Sequence, residues 1–158
     1  MDRARGYGED SSRAIDELAR LPPSDDLVEF FDSLGQRRFE PLGMMAHPRA
    51  SQILVHHFKS SQVESDWAGK ALAHPRHASA IPDLLAIALT NTDEAHVIKA
   101  LIILDRIGTS EAKAALAAFA NAPAREIYSY YTVEDTGESA KSVRSSKDIK
   151  PGQLHYYW

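Results

Sequence analysis

Apolar side chains recur at helical spacing through most of this chain, and short polar or proline-bearing breaks divide them into segments. Ser11 to Leu21 places Ala14, Ile15, Leu18, Ala19 and Leu21 on one face before Pro22-Pro23 stops the run. Ser24 then suits an N-cap, with Asp25 and Asp26 in the first turn and Leu27, Val28, Phe30, Phe31 and Leu34 as the apolar face, ended by Gly35. The stretch "GQRRFEPLGMMAHP" holds two glycines and two prolines and reads as a long connection. Ile53, Leu54, Val55 and Phe58 predict a helix over about 49–60 with Pro48 in its first turn. Ser61 and Glu64 have capping-box spacing for the next helix, which carries Val63, Trp67, Ala68, Ala71 and Leu72 and must end near His74, ahead of Pro75.

The pattern continues with a helix over Ser79–Thr90, the turn Thr90-Asn91-Thr92-Asp93, and a helix over about 93–107. That last helix is apolar almost all round, which predicts packing between neighbours. Gly108 ends it, and Ser110 is the expected cap of a final helix reaching Asn121. The tetrapeptide Ala-His-Pro-Arg occurs at 46–49 and at 73–76. On this reading Pro48 opens a helix and Pro75 follows the end of one, so the copies mark opposite boundaries and leave their His and Arg to solvent.

A shift of 32 residues superposes the helices: Val55 falls on Ile87 and Phe119, Ala68 on Ala100, Leu72 on Leu104, and Leu84 on Leu116. Gln52 falls on Leu84, so the first unit fits less well. Residues 80–119, "AIPDLLAIALTNTDEAHVIKALIILDRIGTSEAKAALAAF", resemble HEAT repeats of the short type first associated with phycobilisome lyases. The resemblance rests on Ala80-Ile81-Pro82 with Leu84 and Leu85, on Asp93, Ala100 and Leu104, and on Ile107-Gly108 followed by Glu111-Ala112 and Leu116; it extends loosely over 49–120. Where that family usually has a valine-arginine pair and a later glycine, this chain has His96, Val97 and Asp105. The matched positions serve packing and turns, so the resemblance implies a fold and no activity. The expected class is all-α: a short α-solenoid, with residues 1–125 a helical repeat domain, 11–35 its N-terminal capping helices and 49–120 its helix pairs.

Residues 126–158 form a different, aromatic and basic segment. Five of the six tyrosines and one of the two tryptophans lie in "EIYSYYTV" and "QLHYYW", separated by a polar stretch over 136–152. Three arrangements are open: the aromatic pieces pair as a hairpin around a long loop, lie extended along the helices, or form an undefined tail. They either cover the end of the last helix pair or anchor a partner.

With 158 residues, 44% apolar and 25% charged, the chain has the profile of one soluble domain, and no apolar run is long enough to span a bilayer. Cysteine is absent, which excludes disulfides, thiolate catalysis and thiolate zinc sites; with a polar N-terminus, the expected location is the cytoplasm. Net charge is −4: residues 21–135 carry ten Lys/Arg against fifteen Asp/Glu, whereas 136–158 carry four against two. An acidic body argues against nucleic acid and suits a basic protein partner. The seven histidines show no metal-ligand spacing, and neither a nucleophile elbow nor a phosphate-binding glycine loop is present, so no catalytic residue, metal or cofactor is called for.

The expected function is therefore a non-catalytic module that binds a protein partner. A bacterial immunity protein occluding a toxin, and an enzyme of HEAT-like fold of the bilin lyase or DNA glycosylase type, are the alternatives. Candidate partner-binding residues are Asp66, Asp93, Glu94, Asp105, Tyr130, Tyr131, Tyr156 and Trp158.

Overall fold

Local capping chemistry fixes most of the helix boundaries. The computed structural model describes residues 13–15, 17–60, 62–133 and 137–150; it is mostly helical, with one two-stranded sheet near the end of the chain. The backbone divides between Leu72 and Ala73 into two compact units. Among the described residues no helix is long and apolar enough to cross a membrane.

In the first unit, residues 13–15 and 17–18 are helical, and Arg13 reaches Glu17 one turn on at 3.3 Å. Helix α1, Asp25–Asp32, starts as its sequence demands: Ser24 is extended and its hydroxyl accepts the Leu27 N–H at 3.3 Å. Val28 and Phe31 are buried, whereas Phe30 stays 45% exposed. The glycine- and proline-bearing stretch after it is no open connection. Gly35, at φ +62°, enters a 3₁₀ turn over Gly35–Arg38 that runs straight into helix α2, Phe39–Met44. Pro41 is tolerated because it lies in the first turn, and Phe39, Leu42 and Met45 are core residues. Gly43 lets two helices approach closely: a Cβ there would meet the Cβ and Cα of Ala71 at 3.0 and 3.1 Å. Helices α3, Pro48–Phe58, and α4, Gln62–Leu72, pack against each other and both touch α2. Ser61 of the expected capping box lies outside the described residues; the Glu64 carboxylate accepts from Ser60 Oγ at 2.6 Å.

The two Ala-His-Pro-Arg copies do the same job, contrary to the reading from sequence. In each, the residue before proline is extended, His47 at φ −134°, ψ 131° and His74 at φ −145°, ψ 144°, as the proline ring requires. In each, the histidine Nδ1 accepts the backbone N–H of the arginine two residues on, at 3.2 Å for Arg49 and 3.3 Å for Arg76. Pro48 opens α3, and Pro75 opens a 3₁₀ helix over Pro75–Ala80 that continues into α5, Ile81–Thr90. A histidine cap followed by proline is thus a helix start used twice, once per unit. The second copy looked like a terminator because α4 ends two residues before His74.

In the second unit α5 is followed by α6, Glu94–Ile107, and α7, Ser110–Asn121. Asp93 caps α6 by accepting the Ala95 N–H at 2.9 Å, and Gly108, in the left-handed region at φ +66°, ends it. Thr109 takes the capping role expected of Ser110, accepting the Ala112 N–H at 3.3 Å. Helix α6 lies against α5, α7 and the first strand, and buries Val97, Ala100, Ile107 and the whole run Leu101–Leu104.

Burial sharpens the internal register. In α4 and α6 the buried positions Ser65, Ala68, Gly69 and Leu72 correspond to Val97, Ala100, Leu101 and Leu104, all at a shift of 32. The preceding helices do not keep that shift. Ser51, Leu54 and Val55 in α3 match Leu84, Ile87 and Ala88 in α5 at 33, and Ile81, Leu84 and Ala88 match Ala112, Ala115 and Phe119 in α7 at 31. A buried serine in place of a leucine, together with this one-residue slip, is why Gln52 fell on Leu84.

Candidate functional site

Two strands follow α7. Strand β1, Glu126–Thr132, carries three tyrosines and Ile127, and settles on a strand what the sequence left open among three arrangements. Its partner is β2, Ser139–Ser145, inside the stretch read as polar loop, paired antiparallel from Glu126 with Ser145 to Thr132 with Ser139. The second aromatic piece, "QLHYYW", lies outside the described residues.

The hairpin has two unlike faces because side chains alternate along each strand. Inward, Ile127 is fully buried and Arg144 pairs with Glu94 of α6. The base is tied down by backbone: Tyr128 N–H donates to Thr92 O at 2.8 Å, and Arg125 and Ser146 bond each other twice, Ser146 N–H to Arg125 O at 2.9 Å and Arg125 N–H to Ser146 Oγ at 3.1 Å. The Arg125 guanidinium donates to Ala88 O and Asn91 O, both at 2.6 Å, at the C-terminal end of α5. Burial pushes the pKa of that guanidinium down. Lys147 Nζ reaches Ala120 O at 2.8 Å near the end of α7, and Ile149 is buried.

Outward, Tyr128 stands opposite Val143 and Tyr130 opposite Lys141. Tyr130 is 68% and Val143 52% exposed. Lys141 Nζ sits 3.5 Å from the centroid of the Tyr128 ring, and Tyr128 OH donates to Glu126 at 3.0 Å. That bond and the Glu126 charge hold the phenol pKa above its ordinary value.

The sequence-predicted residues fall in several places. Asp93 and Glu94 are engaged within the second unit: Asp93 caps α6 and its other oxygen is 2.8 Å from His96 Nδ1, while Glu94 holds Arg144. Asp105 is exposed on α6 and Asp66 half-buried on α4, in the first unit. Tyr130 stands on the outer hairpin face, Tyr131 belongs to β1 by its backbone, and Tyr156 and Trp158 lie outside the described residues. Val143 and Lys141 were missed. Nothing in "SAKSVRS" alone announces a strand, although the shared parity of Tyr128 and Tyr130 in "EIYSYY" does put both on one face.

One polar cluster in the first unit gathers the groups that acid–base chemistry would use. His57, only 12% exposed, lies 2.9 Å from Arg38 Nη1 and 3.4 Å from Asp32 Oδ1 through Nε2, and 3.3 Å from Glu64 Oε2 through Nδ1. Arg38 also donates to Asp32 at 2.7 Å. Hydrogen bonds from Ser60 and His57 lower the Glu64 pKa. Both ring nitrogens of His57 are occupied, so the cluster ties α1, α3 and α4 together and leaves no lone pair for a substrate or a metal. Among the described residues no group of three His, Asp or Glu side chains is placed to hold a metal ion. Compared with protein-family models, with curated proteins and with solved structures, the chain matches none of them.

Proposed function

We propose that this protein is a non-catalytic helical-repeat module that binds a protein partner through the outer face of its C-terminal hairpin. One observation carries the reading: the inner face of the hairpin is engaged, with Ile127 buried and Arg144 paired with Glu94 of α6, yet the outer face presents Tyr130 and Val143 to solvent. Packing within the second unit therefore accounts for one face and leaves the other exposed. Tyrosine beside an aliphatic residue is an economical interface anchor, since it buries large area and keeps a hydroxyl for hydrogen bonding. The mostly helical fold, with its single two-stranded sheet, is compatible with the same reading.

The test compares tagged wild-type protein with Tyr130→Ser/Val143→Ser in affinity capture from the native cell, read by quantitative mass spectrometry. A stoichiometric protein recovered by the wild type and at least about tenfold depleted with the variant is the expected result. Equal recovery by both removes the outer face from the account. Capture dominated by nucleic acid or a chromophore overturns the reading as a whole.

A further inference from the structure

The first unit carries a separate surface that the hairpin reading leaves untouched. Between residues 17–21 and helix α1 lies an apolar groove of about 530 Å³, walled by Leu18, Leu21, Pro22, Leu27 and Phe30. Leu21 is 50% and Phe30 45% exposed, so two large side chains that would gain by burial remain in water. Folding of α1 does not need Phe30 there, because Val28 and Phe31 make its core contacts.

The rim supplies the second half of the argument. Asp26 borders the groove and Glu29 follows one turn along α1; neither makes an ion pair among the described residues. Asp26 and Glu29, three residues apart, share one side of α1. We infer that this groove binds a basic amphipathic segment of a partner protein, its leucine or aromatic side chains seated against Leu21 and Phe30 and its arginines or lysines paired with Asp26 and Glu29. A volume of about 530 Å³ accommodates two or three large side chains, the usual number of anchors on one face of a docked helix. An acidic rim repels an acidic peptide of the same apolar pattern, which makes the interaction selective as well as attractive.

The probes are two fluorescein-labelled helical peptides of about 14 residues with identical leucines at i, i+3 or i+4, and i+7, one flanked by arginines and the other by glutamates. Anisotropy titrations on the full chain at low salt are expected to show the arginine peptide binding at least about fivefold more tightly, with the gap narrowing at 0.5 M salt. Phe30→Ser is expected to abolish binding of both, and Asp26→Lys/Glu29→Lys to reverse the preference. Far-UV circular dichroism and urea midpoints establish that each variant is folded, and the charge reversal keeps the test alive if Phe30→Ser is not. Equal affinity for the two peptides, no binding of either, or binding unaffected by the charge reversal overturns the proposal. So does a concentration-dependent dimer in sedimentation that Phe30→Ser dissolves, because a second copy then fills the groove. None of these results bears on the hairpin face, which lies in the other unit.

Discussion

Replacing Arg125 by alanine should destabilise the second unit by about 2 kcal/mol. The guanidinium donates two bonds of 2.6 Å to Ala88 O and Asn91 O, the carbonyls left unpaired where α5 ends. A hydrogen bond from a charged donor contributes about 1.5–3 kcal/mol net, and the low end applies because Arg125 is half-buried and water can reach the vacated carbonyls. Two such bonds give about 3 kcal/mol. Release of the side chain's rotamers, costing up to about 2 kcal/mol when ordered, offsets part of that, and lost attraction to the helix dipole restores about 0.5 kcal/mol. Urea unfolding followed by circular dichroism at 222 nm converts the net into a midpoint lowered by about 1 M, at a slope of about 2 kcal/mol/M. Arg125→Lys should fall between the two, since it keeps the charge and loses the planar fork. A midpoint shift below about 0.2 M for the alanine variant would refute the reasoning, showing that these bonds merely replace equal ones to water.

Burial and the neighbouring Arg76 hold the His74 pKa below the ordinary histidine value, so the fold favours the neutral ring whose Nδ1 serves as the cap. The sign follows: this contribution is fully present above about pH 6.5 and is lost as pH falls through the lower folded value, so acidification to pH 5 should destabilise the wild type more than His74→Asn, which caps without titrating. A wild type and variant with parallel pH–stability curves would argue against a histidine cap. Gly43→Val should lower stability by about 2 kcal/mol in urea unfolding, because its Cβ meets Ala71 at 3.0 Å, whereas Gly43→Ala should cost less, helix propensity recovering up to about 1 kcal/mol. Ending the chain after Ala124 should broaden the amide spectrum of α5 to α7, since Ile127 and Ile149 go with the hairpin; an unchanged spectrum would show that those helices stand without it.

How much of this was legible depended on whether a residue's duty is local. Ser24, Pro48, Asp93 and Gly108 act within one helical turn, and each marks its boundary in the chain as it does in the structure. Gly43 and Pro41 read as breakers because the reason for a glycine there, its contact with Ala71, lies 28 residues away. His47 and His74 were passed over since histidine is not among the usual capping residues, and only the backbone angles reveal the role. Strand β2 has no apolar pattern of its own; it is a strand because β1 templates it and because serine, lysine and arginine suit the outer strand of a two-stranded ribbon. At the candidate site, the exposure of Tyr130 could be anticipated, but not the inward commitment of Asp93 and Glu94, whose partners His96 and Arg144 are fixed by the helix cap and by the hairpin register.

The mutual clasp of Arg125 and Ser146 has a kinetic consequence. Because the ribbon is locked where it joins the helices, fraying has to begin at the opposite end, around Gly137, and travel inward. Amide hydrogen exchange should then rank the ladder by distance from Glu138, fastest beside it and slowest at Tyr128, whose N–H is held by Thr92 O, and at Ser146, whose N–H is held by Arg125 O. The outer tyrosines thus ride on a surface whose fixed end is the Arg125–Ser146 pair, so the order in which the ladder opens decides how long that surface persists.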